Sequence, residues 1–355
     1  DGVSASNAFY LENRQAMDDG ADVSNKSRFS KEKGPDGKKL EHSAIQRGYN
    51  EIAKMGLAAF MSEYQNDPIA DENDAAELKS DVIVAKLNHI PQGVILESTD
   101  KVTAYIDVHD RVLFWAVVAF RQGFIGTVVD YGHESVNSPL AGTVAKADRD
   151  KATELAVYET LKATRRMLFE RYPTAAITLV DSGWRQQAVY RACKEPGFGM
   201  TFPAKGLAGQ SYKTPGVSAK NVRYVGKHQY QSLMTNDGIW LTIINADYYK
   251  RLVQEGFRVE DWDKPGSMSL FGDDAFIHNG IAEHIVDEQW NFEKGKFEGL
   301  GGKQAKNNHW LDCLAGCCAG AAMCGIKLIE QTKQIVPARK PIQPVTGDVN
   351  IRTRY

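Results

Sequence analysis

The stretch NNHWLDCLAGCCAGAAMCGIKLI, residues 307–329, is small or apolar on every side. Read as a helix it has no polar face, and a helix that is hydrophobic all round is a buried one. Yet it carries a carboxylate, Asp312, close to its start. Burying an ionised carboxylate is costly unless a positive charge pairs with it. Two readings stay open: a cation or metal waits for Asp312, or Asp312 caps a helix that begins later. The segment 310–329 is also of membrane length, but Asp312, Lys327 and its glycines argue for a helix buried inside a water-soluble fold.

A chain of 355 residues exceeds the usual size of one domain, so a large domain with an appendage, or two domains, is expected. With 43% hydrophobic and 25% charged residues and a formal net charge of −2, it has no global pull toward nucleic acid, and any such surface must be local. Four of the five cysteines, Cys313, Cys317, Cys318 and Cys324, lie in the apolar stretch, with Cys193 apart. No CxxC pair occurs, so they read as small buried hydrophobes rather than a zinc or redox site. Free thiols and the lack of a signal-peptide pattern suit a reducing compartment.

Residues 1–97 read as a linker and helical appendage: a polar start, the connector FSKEKGPDGKKLEH, a helical pattern over 42–68 closed by Pro68, and a short apolar run DVIVAKLNHIP. Residues 98–330 form the expected main domain. KVTAYIDVHD, RVLFWAVVAF and GFIGTVVDYG are β-branched and aromatic runs joined by tight breaks, which predicts a three-stranded antiparallel meander. A helix follows over 150–173, with Leu155, Tyr158, Leu161 and Leu168 as its buried face. AAITLVDSG predicts a fourth strand entering the helix WRQQAVYRACKE, and helices and strands alternate from there, with a hairpin over 288–302. The sum is a mixed α/β sheet flanked by helices, with a Pro-containing tail over 331–355.

In such sheets sites gather where strands end. Asp107 falls late in the first strand and Asp181 ends the fourth. Hard divalent cations take oxygen ligands, and two such ions can drive an in-line phosphoryl displacement. Asp107, Asp181 and Asp312 have the type and placement for this. Each has a plainer reading: a turn residue for Asp107, a helix cap for Asp181 and for Asp312. His109 shares a strand face with Asp107, Asp110 follows in the turn, and His309 stands one helical turn before Asp312. These three are candidates to support the site, with packing or turn roles as the plainer alternative.

TAYIDVHDRVLFWAVVAF, ITLVDSGWRQQAVYRAC and NHWLDCLAGCCAGAAM resemble, in order and separation, the three acidic motifs of the nuclease domain of tailed-phage terminase large subunits, the lambda-like branch most of all. AAFMSEYQNDP is similar to the segment joining that family's ATPase and nuclease domains, and PAKG follows the second acid. The resemblance covers roughly 43–330. It implies a ribonuclease-H-like fold, two Mg²⁺ or Mn²⁺ ions held by Asp107, Asp181 and Asp312, and cleavage of concatemeric viral DNA to 5′-phosphate and 3′-hydroxyl ends. It further implies double-stranded DNA, a terminase small subunit and the portal or procapsid as partners, no membrane, and work in the cytoplasm of an infected bacterium. Family members also carry a packaging ATPase, whereas no GxxxxGK[ST] motif occurs here. With a start lacking Met, the expectation is the nuclease half of a longer protein.

Residues 196–236 contain no Asp or Glu but hold Lys205, Lys213, Lys220, Arg223 and Lys227, with Tyr212, Tyr224 and Tyr230 among them. A local positive stretch in a net-negative chain suits phosphate-backbone contact, with a solvated loop as the alternative. Arg185, after the second acid, joins these DNA-contact candidates. The tail's Lys333, Arg339, Lys340, Arg352 and Arg354 suit DNA or a capsid partner. Two other functions compete: a junction-resolvase or transposase-like nuclease of the same fold, and a docking module whose acids do no chemistry.

Overall fold

In this computed structural model the described residues are 2–19, 21, 23, 26–34, 37–55, 77–139, 145–216, 219–291, 294–299, 305 and 307–328. The first part holds helices α1 (Gly2–Asp18), α2 (Ala44–Met55) and α3 (Ser80–Val84). The polar start expected as linker is therefore partly helical. Tyr10 of α1 is buried and its hydroxyl bonds Asp18 and Ser43 at 2.7 and 2.6 Å. The connecting segment AAFMSEYQNDP and the tail 331–355 lie outside the described residues.

The meander is present as β1 (Lys101–Val108), β2 (Val112–Arg121) and β3 (Ile125–Ser135), antiparallel with Asp107 opposite Phe114. Then come α4 (Lys146–Arg171), β4 (Ala175–Asp181), α5 (Gln186–Lys194), β5 (Thr201–Leu207), β6 (Val222–Arg223), β7 (Gln229–Met234), β8 (Ile239–Asn245) and α6 (Ala246–Arg258). The chain continues with β9 (Met268–Ser269), a 3₁₀ turn Ala275–His278, α7 (Asn279–Val286), the hairpin β10 (Glu288–Asn291) and β11 (Lys296–Gly299), and α8 (His309–Met323). Among the described residues nine strands form one sheet in the order β6-β7-β8-β5-β4-β1-β2-β3-β9. β4 lies parallel to β1, and β5 and β8 continue parallel beyond it. This antiparallel meander extended by parallel strands is the ribonuclease-H-like arrangement.

Period-two alternation sorts the β1 side chains. Val102, Ala104, Ile106 and Val108 pack under α4 and α5 with Val157, Leu161, Leu168 and Val189. On the other face Tyr105, with Ile177 and Leu179 of β4, packs under α6 and α8. Asp107 shares the α8 face. Residues 77–97 contribute to this core, since Leu78 and Ile83 are buried in the same cluster as α8. No helix among the described residues is long and apolar enough to cross a membrane.

Two expectations and one alternative reading need correction. Leu155 is 54% exposed, because the buried arc of α4 runs through Thr153, Val157, Leu161, Thr164 and Leu168. Residues 229–234, within the basic stretch, form a strand on β8 rather than loop. The apolar helix ends at Met323, not near 329. Gly325 sits at φ +91°, with the Ile326 N–H on the Ala321 carbonyl (3.0 Å) and the Gly325 N–H on the Ala322 carbonyl (3.1 Å). This is a Schellman stop, which glycine makes cheap.

α8 is glycine- and alanine-rich because it lies almost on the backbone of β1. A Cβ at Gly316 would meet the Tyr105 ring at 1.8 Å, and one at Gly320 would meet Ile177 Cγ2 at 3.1 Å. Overpacking costs about 1–3 kcal/mol or more, and alanine regains about 1 kcal/mol of helix propensity over glycine. Gly316→Ala should therefore lose about 2 kcal/mol in urea unfolding, and Gly320→Ala should stay within about 1 kcal/mol of the parent. Equal midpoints for the two variants would refute the close approach.

Candidate metal centre

The end of β1 is where three elements converge. The register sets Ile106 beside Val180, so Asp107 and Asp181 stand at the same edge of parallel β1 and β4. α8 crosses against the direction of β1. Thr103 Oγ1 donates to the Cys317 carbonyl (2.9 Å), Gly316 covers Tyr105, and the next turn brings Cys313 to the backbone of Asp107. Asp312 is therefore drawn to the same end. It sits inside the helix, its N–H on the Asn308 carbonyl (3.0 Å), and the cap position belongs to Asn308. Asp181 does not cap α5 either, whose cap position is Arg185; its Oδ2 accepts from the Gly183 N–H (3.2 Å).

The carboxylates share one electrostatic field. Burial and then the charge of Asp107 push the Asp181 carboxyl up to about 7, with Asp312 adding and the Gly183 N–H and His109 opposing. Burial would raise Asp107 too, but hydrogen bonds from His109 and His309 outweigh it and hold this carboxyl below its ordinary range. Both imidazoles reach the same oxygen: His109 Nε2 is 2.9 Å and His309 Nδ1 3.0 Å from Asp107 Oδ2. The bond to Asp107 in turn raises His109. The His309 ring stacks on Phe114 at 4.4 Å between centroids and meets His109 edge-on at 4.2 Å. Behind them His284, pushed down to about 4 by burial and by His309, lies against Trp310.

Asp312, whose side chain is 33% exposed, has a partner that its sequence does not announce. Lys250 of α6 lies 2.9 Å from Asp312 Oδ1 and 2.6 Å from Glu288 Oε2. Burial would depress this ammonium, but Asp312 and Glu288 outweigh it and keep it charged. Burial nevertheless raises Asp312, against the pull of Lys250 and with the push of Asp107. Nothing in DYYKRLVQEGF marks its lysine, since the pairing depends on α6 packing beside α8.

One donor set is within reach of a single ion: an oxygen of Asp107 and ring nitrogens of His109 and His309, all within 4.8 Å of one another. Carboxylate and imidazole are both divalent-ion ligands, so this chemistry fits a metal. Asp110 is exposed in the β1–β2 turn, its carbonyl accepting from Ser138 Oγ (2.8 Å). Lys205, Lys213, Lys220 and Lys227 are exposed. Lys205 follows Ala204, which pairs with Asp181, so it flanks the same edge. Arg223 is half-buried, its guanidinium 4.1 Å from the Trp240 ring centroid, and Arg185 is held by Asp150 (3.0 Å) and Glu154 (3.7 Å).

A carboxyl whose folded pKa is raised to about 7, against an unfolded value of about 3.9, binds more protons in the folded state than in the unfolded state between those values. Its contribution is complete below about pH 4 and is lost as pH rises through 7. In chelator, Asp181→Asn should melt above the parent at pH 8, by a margin that shrinks steadily as pH falls toward 4. Parallel melting curves across that range would show that Asp181 is not desolvated among like charges.

Comparison with known proteins bears on this geometry. The sequence pattern of the terminase large subunit gpA endonuclease domain matches residues 52–334. No curated protein matches. Among solved structures, a mutant nuclease domain of the large terminase subunit gp2 of bacterial virus Sf6, with manganese, is 12% identical over 63% of this chain and 91% of its own (TM-score 0.32). The human cytomegalovirus terminase nuclease domain, Mn soaked, is 8% identical over 65% and 89% (TM-score 0.35). An exopolyphosphatase from Cytophaga hutchinsonii is 14% identical over 29% of this chain, which spans about a third (34%) of that structure (TM-score 0.21). These faint likenesses carry no weight on activity; the match over most of the sequence does carry weight on kinship. The chain belongs to the terminase large subunit gpA endonuclease-domain family.

Proposed function

We propose that this chain is a metal-dependent DNA endonuclease that cuts concatemeric viral DNA during phage packaging, with Asp107, Asp181 and Asp312 as its metal-holding acids. The observation that carries this reading is the gathering of carboxylates from β1, β4 and α8 in one field at one end of the sheet, in a chain of the terminase family. Divalent ions, Mg²⁺ or Mn²⁺, would supply charge stabilisation for the phosphate and a nucleophile from water at neutral pH.

The protein's own residues prepare for that charge. Asp107, held ionised by its two histidines, offers a carboxylate at all working pH values. Asp181 is destabilised as an anion by burial and its neighbours, a cost that divalent charge would remove. Lys250 holds one Asp312 oxygen, so the other would be the one offered to the metal. Lys205, Lys213, Lys220 and Lys227 would track the duplex backbone without reading bases. In this role the protein works in the cytoplasm of the infected cell, with a terminase small subunit choosing the cut site and the portal receiving the DNA.

Asp107→Ala, Asp181→Ala and Asp312→Ala should each slow Mn²⁺-dependent plasmid nicking by on the order of a thousandfold, with circular dichroism unchanged. Normal cutting by any one variant removes that residue from the site. A strong preference for branched over plain duplex would turn the assignment toward a junction resolvase, and no nicking at all toward a docking role. Lys205→Ala should weaken duplex binding alike for all sequences and reduce the slope of log affinity against log salt by about one. An unchanged slope would place Lys205 off the DNA.

A further inference from the structure

The acids alone do not exhaust the ligand chemistry at the end of β1. Two imidazole nitrogens point at one Asp107 oxygen from different elements, His109 from the β1–β2 turn and His309 from the first turn of α8. Cis ligands around an octahedral ion bonded at 2.0–2.1 Å stand roughly 3 Å apart. The two nitrogen–oxygen separations, 2.9 and 3.0 Å, match that spacing. His309 is held in place by its stacking on Phe114, the residue paired with Asp107 across the sheet. Two histidines and one carboxylate form a set that first-row transition ions accept, with open positions left over, whereas Mg²⁺ prefers oxygen and water.

We propose that His109 and His309 are direct ligands of a divalent ion bound at Asp107, and that they give the site a preference for a transition ion such as Mn²⁺ over Mg²⁺. This rests on the metal-dependent nuclease reading and adds two nitrogen ligands to it. Without the ion each ring donates a proton to Asp107. On ligation His109 binds through Nε2 and keeps a proton on Nδ1, and His309 binds through Nδ1 and keeps one on Nε2. Each ring thus stays neutral, and any additional proton leaves to water. The ion takes the place of two hydrogen bonds, so Asp107 is never left without a partner.

The test is electron-spin-echo EPR of Mn²⁺ on the tag-free chain, with Mn²⁺ and Mg²⁺ affinities measured by equilibrium titration. Bound Mn²⁺ should show imidazole ¹⁴N modulation. His109→Gln and His309→Gln should each reduce it and together abolish it, because glutamine can still donate to Asp107 but offers no ring nitrogen. The double variant should lose about 10–100-fold in Mn²⁺ affinity, with Mg²⁺ changed by less than about threefold. His109 is 42% exposed in its side chain, so His109→Gln gives a folded variant should His309→Gln disturb α8, and the wild-type spectrum decides without any variant. Bound Mn²⁺ without ¹⁴N modulation, or equal losses for both ions, would overturn the histidine ligands and leave the carboxylate site standing. Failure of the folded chain to bind Mn²⁺ at all would overturn both.

Discussion

The seating of α8 on β1 is the contact from which the rest of the site follows. A helix can come this close to a strand only where side chains are missing, and Gly316 over Tyr105 and Gly320 over Thr103 and Ile177 supply the gaps. The tight seat fixes the helix axially as well as laterally. With Gly316 locked over Tyr105, the turn before it must lie over Asp107, and His309 and Asp312 have no other place to be. Small residues in the body of the helix thus set the position of the candidate site residues at its start. The Schellman stop at Gly325, with Ile326 buried behind it, anchors the far end.

That geometry has an electrostatic cost, and the chain meets it with positive and proton-donating groups of its own. Lys250 is shared between Asp312 and Glu288, two histidines serve Asp107, and only Asp181 is left with little more than a backbone N–H. This uneven provision parts Asp107, which is held down, from Asp181, which is driven up to about 7, while burial still raises Asp312 beside Lys250. Buried like charges separate in this way when only one of them is well solvated by the protein.

The meander, the fourth strand with its terminal acid and the buried helix were legible because β-branched alternation and the absence of a polar face are local signals. Asp107, Asp181 and Asp312 were legible as candidates for the same reason: an acid at a strand end or in an apolar helix breaks a pattern. Lys250 and Glu288 break none. They lie on amphipathic α6 and on a polar hairpin, where charge is ordinary, and only the packing of three elements shows what they do. β7 was hidden by its own composition, QYQSLM, whose glutamines find partners inside: Gln231 Nε2 donates to Thr242 Oγ1 of β8 at 3.0 Å, and the Tyr249 hydroxyl of α6 donates to Gln229 Oε1. Leu155 was misjudged because spacing by three or four defines a neighbourhood on a helix, not which side faces the sheet.

The proposed metal site, already furnished with Lys250 and two histidines, would not take up a divalent ion as a simply added part. On the proposed reading, loading would be an exchange, in which hydrogen bonds to Asp107 give way to coordination and the repulsion felt by Asp181 is relieved. Partners of this kind would spare the fold the cost of an unpartnered buried carboxylate, several kcal/mol, when no ion is bound. They would also make affinity depend on how strongly the incoming ion competes with imidazole protons. On that proposal, an ion that binds oxygen alone would displace those hydrogen bonds and recover only part of their energy, whereas one that accepts nitrogen would recover both.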